Sequence, residues 1–317
     1  MDYTRHDLKK MQAWSLEKKM EVTQEKVREW YTAYGGKVYV SFSGGKDSTV
    51  LLDLARKVYP KIPAVYVDTG LEYPEIRQFV GTKKGVDWLQ PRYPFTQILE
   101  KYGYPVISKE VADCIWGARK GQATRIKRLK GELLDPDGKK SIFNCEKYQY
   151  LLDAPFQISA RCCYHMKKAP VNRYERESGR HGIVGVMAEE SRLRKQSVMR
   201  YGCNGFDRKR PVSQPMAFWT GQDVLKYLKV TGIPYAEVYG KIQEIKKKDG
   251  RIALETSGVS RSGCMYCMFG VHLEREPNRF QRMQLTHPKQ YDYCINRLGC
   301  GKVLDYIGVP YGNNETK

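Results

Sequence analysis

The stretch that most constrains this chain is Ser41-Phe42-Ser43-Gly44-Gly45-Lys46-Asp47-Ser48. It lies between the apolar run Val38-Tyr39-Val40 and the helix-like run Thr49-Val50-Leu51-Leu52-Asp53-Leu54-Ala55. A buried strand, a glycine-rich turn and a helix start, in that order, make an anion cradle. The unpaired N–H groups of the first helical turn and the helix dipole converge on one spot. The two glycines let the backbone approach a ligand closely, and Lys46 adds positive charge for the outer phosphates. The spacing is not that of a Walker A loop, G-x-x-x-x-G-K-S/T. The bland alternative is a plain glycine turn joining strand to helix.

A length of 317 residues accommodates about two domains, or one α/β domain with additions. No run approaches the ~18–20 apolar residues that span a bilayer. The start, Met1 to His6, has no apolar core of a secretory signal. A cytoplasmic protein with no membrane partner is therefore expected. The formal charge of +20, from 55 Lys+Arg against 35 Asp+Glu, favours a polyanionic partner such as nucleic acid, with salt-dependent affinity. Nine cysteines in such a chain argue against a disulfide framework.

Three segments are predicted. Residues 1–36 read as helix, closed by Tyr34-Gly35-Gly36. Residues 37–240 read as a nucleotide-binding domain. Its second strand, Ala64-Val65-Tyr66-Val67, ends in Asp68-Thr69-Gly70, and Pro74 starts the next helix. Asp87 to Gln90 is the third strand and Phe95 to Tyr102 a further helix. Alternating strands and helices predict an α/β fold with a doubly wound, Rossmann-like parallel sheet and ligands beyond the strands' carboxyl ends. Asp68-Thr69-Gly70 then shares an edge with the loop. An insertion at about 111–155 holds Arg119, Lys120, Arg125, Lys127, Arg128 and Lys130, as a lid, a polyanion contact or a solvated helix face. The strand Gly182 to Val186 precedes Glu189-Glu190-Ser191-Arg192-Leu193-Arg194, and Thr220 reads as an N-cap. Residues 241–317 form a basic extension without clear βα alternation.

These residues resemble the phosphoadenosine phosphosulfate (PAPS) reductase family, within the adenine-nucleotide α-hydrolase-like superfamily of ATP pyrophosphatases. Ser41–Ser48 resembles its pyrophosphate loop, and Asp68-Thr69-Gly70 with Tyr73-Pro74-Glu75 its D-T-G…P-E element. Glu190-Ser191 with Arg194 resembles its Q/E-S-x-x-R element. Trp219-Thr220, Asp223-Val224 and Ile233-Pro234-Tyr235 resemble its W-T-x-x-D-V…I-P-Y stretch. The resemblance implies adenine-nucleotide contacts from Ser41, Ser43, Gly44, Gly45, Lys46, Asp47, Ser48, Asp68, Thr69, Gly70, Ser191 and Arg194, with Mg²⁺ near Asp47. Lys46, Asp47 and Arg194 take the catalytic roles, and Lys109 is a further candidate anion contact. The full S-G-G-K-D-S form resembles ATP users more than sulfonucleotide reductases. Met187 stands where the family has arginine. Residues 308–317 carry no cysteine where the reductases have a catalytic E-C-G-L-H tail, and Cys300 is the nearest candidate.

Cys162-Cys163 and Cys264-Met265-Tyr266-Cys267 pair as C-C…C-x-x-C. Thiolates suit iron–sulfur clusters or zinc, and unligated core cysteines are the remaining reading. The pattern resembles the [4Fe-4S] site of adenosine 5′-phosphosulfate (APS) reductases, which implies a cluster with Lys167 and Lys168 offsetting its charge. Cys203 is a fifth candidate ligand. The ATP loop and cysteines together resemble DNA phosphorothioation sulfurtransferases. The resulting expectation is an ATP-dependent adenylating enzyme that transfers sulfur from a donor to DNA, tRNA or a small acceptor. The alternative is a PAPS or APS reductase served by a thioredoxin-like reductant. A minor alternative is a non-enzymatic iron–sulfur regulator that binds nucleic acid.

Overall fold

Strand follows strand along the chain as β1 (Val38–Ser41), β2 (Ala64–Val67), β3 (Val86–Leu89), β4 (Val106–Ile107) and β5 (His181–Val184), then β6 (Asn204–Gly205), β7 (Val212–Ser213), β8 (Ile242–Lys246), β9 (Ile252–Thr256) and β10 (Met268–Phe269). This is the arrangement in a computed structural model that describes residues 3–312. Residues 313–317, half of the cysteine-free tail, lie outside the described residues. The chain divides into two compact units, one of residues 1–90 and 170–262, the other of residues 91–169 and 263–317. The expected boundaries at 36/37 and 240/241 do not coincide with this division.

The first unit is the α/β fold. Its sheet has the order β3-β2-β1-β5-β7-β6. β1 pairs in parallel with β2 on one side and β5 on the other, and only β6 runs antiparallel. Strand order reverses direction at β1, so the loop after β1 opens at the switch point where such sheets bind ligands. Ser41 is in register with Val65 of β2 and Val184 of β5. The segments that follow those two strands therefore emerge on the edge of the loop.

The described residues 3–36 are part of this unit's core rather than an appendage. They form two helices, Arg5–Gln12 and Leu16–Ala33. The expected single helix is broken at Ser15, whose hydroxyl accepts from the Lys18 N–H and caps the second helix. Trp30 is fully buried, and Lys19, 1% exposed, reaches Asp223 at 2.6 Å. Asp223 also accepts from the N–H of Thr220, so one carboxylate neutralises a buried lysine and completes the cap of the helix Gly221–Thr231.

The second unit joins the expected insertion to the end of the chain. The helices Lys109–Ala118 and Ala123–Lys130 precede a turn closed by the bridge Leu134↔Lys140 and the 3-10 segment Glu146–Asp153. β10 pairs in parallel with β4, so the strand that directly follows the C-x-x-C is paired with Val106 and Ile107. Two segments 160 residues apart thus fold as one. Among the described residues no helix is long and apolar enough to cross a membrane.

Candidate functional site

In the first unit β1 delivers Ser41 and the buried Phe42 to the turn, and the helix Lys46–Val58 begins with Gly45 as N-cap and no side-chain cap. The serines stiffen the turn from within. Ser48 Oγ accepts from the Ser43 N–H at 3.2 Å and bonds the Gly45 carbonyl at 2.9 Å. Ser43 Oγ lies 3.1 Å from Ser48 Oγ. Gly44 has φ +73°, and a Cβ there would stand 2.8 Å from methyls of Ile76 and Val80, so glycine is required twice over. Gly185, just past β5, is needed for approach alone, since a Cβ would meet the Asp47 carbonyl at 3.2 Å.

A strap formed by residues 257–262, running on from β9, lies against this loop. Lys46 Nζ donates to the Ser260 carbonyl at 2.6 Å and sits 4.8 Å from the centre of the Tyr239 ring. The Tyr239 hydroxyl accepts from the Lys46 N–H at 3.4 Å and bonds Ser262 Oγ. Burial draws the Lys46 ammonium below its ordinary pKa and pushes the Asp47 carboxyl above the usual carboxylate range. The charges of Lys46, Arg261 and Arg194 oppose the shift at Asp47. Three cations therefore act on one buried acid.

Glu190 organises two of those cations. It follows β5 in a 3-10 turn, accepts the Met187 N–H at 3.0 Å and binds the Arg194 guanidinium. Its second oxygen lies 3.4 Å from Arg261. Ser191 caps the helix Arg192–Tyr201 by accepting from the Arg194 N–H, which fixes where that arginine leaves the backbone. Asp68 holds Arg77 at 2.9 Å, and the Thr69 hydroxyl donates to Glu72 at 2.7 Å. Gly70, at φ +70°, lets that turn close on the ligand edge. The structure thus brings Ser41 to Ser48, Asp68 to Gly70, Ser191 and Arg194 to one edge of one sheet. Tyr239, Ser260, Arg261 and Ser262 join them. No motif pointed to these four, since they meet the loop from some 190 to 220 positions away in sequence.

The second unit holds every cysteine except Cys203. Cys203 is 3% exposed in the apolar core of the first unit, where burial raises its thiol pKa to about 12, and it does not group with the other four candidates. Cys162, Cys163, Cys264 and Cys267 do lie within electrostatic reach of one another. Cys163 is drawn down to about 6, first by the hydrogen bond with Cys162 and then, against burial, by the charges of Lys109, Lys167 and Lys168. Cys162 moves up, through the same bond and through burial. Burial and the neighbouring Cys264 raise Cys267 to about 11, while its carbonyl accepts Arg279 at 2.9 Å. Lys109, expected as a nucleotide contact, is here a neighbour of Cys163. The pairing of β4 with β10 places it there, and Ile107 at φ +61° turns the chain into its helix at a cost of about 1–3 kcal/mol.

Four thiols, with the Cys162 hydrogen bond and three lysines drawing Cys163 toward its thiolate, have the donor chemistry of an iron–sulfur site. Among the described residues no group of three or more Cys, His, Asp or Glu side chains is placed to hold a metal ion. Two further pairs are buried in this unit, Cys114 with Cys145 at 3.6 Å and Cys294 with Cys300.

A glycine-rich loop at the switch point of a parallel sheet defines a nucleotide-binding α/β protein. The model of the phosphoadenosine phosphosulfate reductase domain matches residues 37–86 and 117–302, and the chain belongs to that family. A phosphoadenosine 5′-phosphosulfate reductase of Gloeobacter violaceus is 26% identical over 204 residues, 64% of this chain and 65% of the relative. An adenosine 5′-phosphosulfate reductase of Staphylococcus epidermidis is 26% identical over 222 residues, 67% of this chain and 70% of the relative. The chain thus spans about two thirds of these relatives' length. The crystal structure of a PAPS reductase from Candida auris superposes with a TM-score of 0.40 at 14% identity, covering 75% of this chain and 91% of that one.

Proposed function

We propose that the chain is an ATP-dependent adenylating enzyme that acts in sulfur transfer, with a [4Fe-4S] cluster as its resident cofactor. The observation that carries this reading is the unaltered loop with Lys46, Arg194 and Arg261 all acting on Asp47. That much converging charge suits a polyphosphate with its Mg²⁺. The N–H groups of the first helical turn and Lys46 hold the outer phosphates, and Asp47 would hold the metal ion. An acceptor oxygen attacks the α-phosphorus, the bond from that phosphorus to the bridging oxygen breaks, and pyrophosphate leaves. Arg194 offsets the charge that builds up in this step. A hydrosulfide-class donor then forms a bond from sulfur to the acceptor's activated carbon or phosphorus, as the bond from that atom to the adenylated oxygen breaks and AMP departs. Cys162, Cys163, Cys264 and Cys267 would hold the cluster, which supplies iron for sulfur or electron chemistry when bound. The net charge of +20 supports a DNA or RNA acceptor over a small one.

Family membership supports a second reading, reduction of a sulfonucleotide to sulfite with a thioredoxin-like protein as reductant. Anaerobic protein incubated with labelled ATP, APS and PAPS separates the two. AMP and pyrophosphate from ATP alone is the expected result. Sulfite from either sulfonucleotide in the presence of thioredoxin overturns it.

A further inference from the structure

We infer that Arg261 is the residue that reads the terminal phosphate of a nucleoside triphosphate, and so sets the preference for ATP over a phosphosulfate. The inference rests on the reading of the loop as an ATP site. Four observations carry it. First, the residues on either side of Arg261 are both fastened to the loop: the Ser260 carbonyl to Lys46 Nζ at 2.6 Å and Ser262 Oγ to the hydroxyl of Tyr239, which in turn takes the Lys46 N–H. The backbone of position 261 is therefore held beside the loop, although its side chain is 72% exposed.

Second, the guanidinium, 3.4 Å from Glu190, is close enough to the loop for its charge to act on Asp47, Lys46 and Arg194. Third, the guanidinium rests on a long 3.4 Å contact to Glu190, a carboxylate already engaged by Arg194 and the Met187 N–H. A phosphate oxygen can displace so long a contact at small cost. Arg194, held on the same carboxylate and less exposed at 42%, is the fixed cation of the pair.

Fourth, the two cations nearest the loop are arranged in sequence outward. Lys46 extends from the first helical turn to the strap, and Arg261 stands on the strap with solvent beyond it. The outermost cation meets the outermost anion. The 5′ chain of a phosphosulfate ends at its second group, short of that position, and a guanidinium pairs with a phosphate through two parallel bonds.

The test is equilibrium binding of ATP, ADP and APS, each with Mg²⁺, to anaerobic full-length wild type, Arg261→Ala and Arg261→Lys. An exposed side chain in a strap held by its neighbours is replaceable without unfolding, and a thermal melt monitors that. A charge-assisted contact of the usual strength predicts a loss of ATP affinity of about 10- to 100-fold in Arg261→Ala. ADP and APS should change by less than about threefold, and the lysine variant should recover part of the loss through its point charge. Unchanged ATP binding in Arg261→Ala, or equal losses for ATP and APS, overturns the assignment while the ATP site stands. Wild type that binds APS but not ATP overturns both.

Discussion

At the scale of single residues, the loop shows where a glycine is required and where it is convenient. Gly44 combines φ +73° with a Cβ position 2.8 Å from Ile76 and Val80, whereas Gly70 combines φ +70° with open space. Gly44→Ala should cost about 2–4 kcal/mol in stability through strain plus overpacking, and Gly70→Ala about 1 kcal/mol. Denaturant melts of the two variants check this, and equal losses would mean that the Ile76–Val80 contact does not matter. Asp47 supplies a pH test. An acid whose pKa is higher folded than unfolded binds its proton more tightly in the folded state. Stability therefore falls as pH rises from the ordinary value of 3.8 through the raised one. Asp47→Asn removes that penalty. It should melt above wild type at pH 7.5, with the gap closing toward pH 4, while Mg²⁺-ATP turnover is lost. A gap of constant size in melts across that range would sink the argument. The loop residues themselves were legible in the sequence, because their chemistry is local. Arg261 and Tyr239 were not, because only folding brings a strap from residues 257–262 beside residue 46.

At the scale of elements, the parallel strands and the Thr220 cap were legible from apolar runs and capping chemistry. The hairpin of β8 and β9 was not. Its Asp249-Gly250 turn is a hairpin signal, but it sits behind Lys246-Lys247-Lys248, and both strands are half exposed. The basic stretch of the second unit was legible only as charge. Five of its six cations do two different jobs. Arg119 donates to the carbonyls of Phe156, Leu151, Leu152 and Ala154 at 2.7 to 3.0 Å, which ties its helix to the end of the 3-10 segment. Arg128, 6% exposed, bonds the Phe143 carbonyl and Glu110. These two are structural. Lys120, Lys127 and Lys130 stand near helix ends where positive charge complements the dipole. Arg119→Ala should cost about 2–4 kcal/mol, since four carbonyls lose a charged partner, while Lys127→Ala should stay within about 0.5 kcal/mol. Hydrogen exchange over residues 109–156 reads the difference. Matching profiles for the two variants would return Arg119 to the surface group.

At the scale of the whole molecule, the two parts of the sequence with the weakest pattern fold into the same unit. The expected insertion and extension had no common signal, because what joins them is the short pairing of β4, just before the insertion, with β10, together with contacts such as the Tyr306 hydroxyl on the Tyr150 carbonyl. That pairing also decides which cysteines meet. The sequence offered five candidate ligands, and spacing alone could not separate Cys203 from the other four. Folding does, by burying Cys203 among apolar residues of the first unit. It also creates two decoy pairs, Cys114–Cys145 and Cys294–Cys300, whose thiols bond each other. Arg125 and Arg128 face Cys114 much as lysines face Cys163, so it is the grouping as four rather than the neighbouring charge that sets Cys162, Cys163, Cys264 and Cys267 apart. Serine substitution one cysteine at a time should therefore split the nine into two groups. Loss at 162, 163, 264 or 267 should abolish most bound iron and the visible absorbance of the reconstituted protein. Loss at 114, 145, 203, 294 or 300 should leave iron per chain unchanged. Because ligand binding free energy is also folding free energy for the part that holds it, the first group should lose exchange protection in residues 91–169 and 263–312. Residues 37–90 should keep theirs. Iron retained in full by Cys163→Ser, or lost from Cys203→Ser, would mean that the thiols grouped in the second unit are not the ligand set.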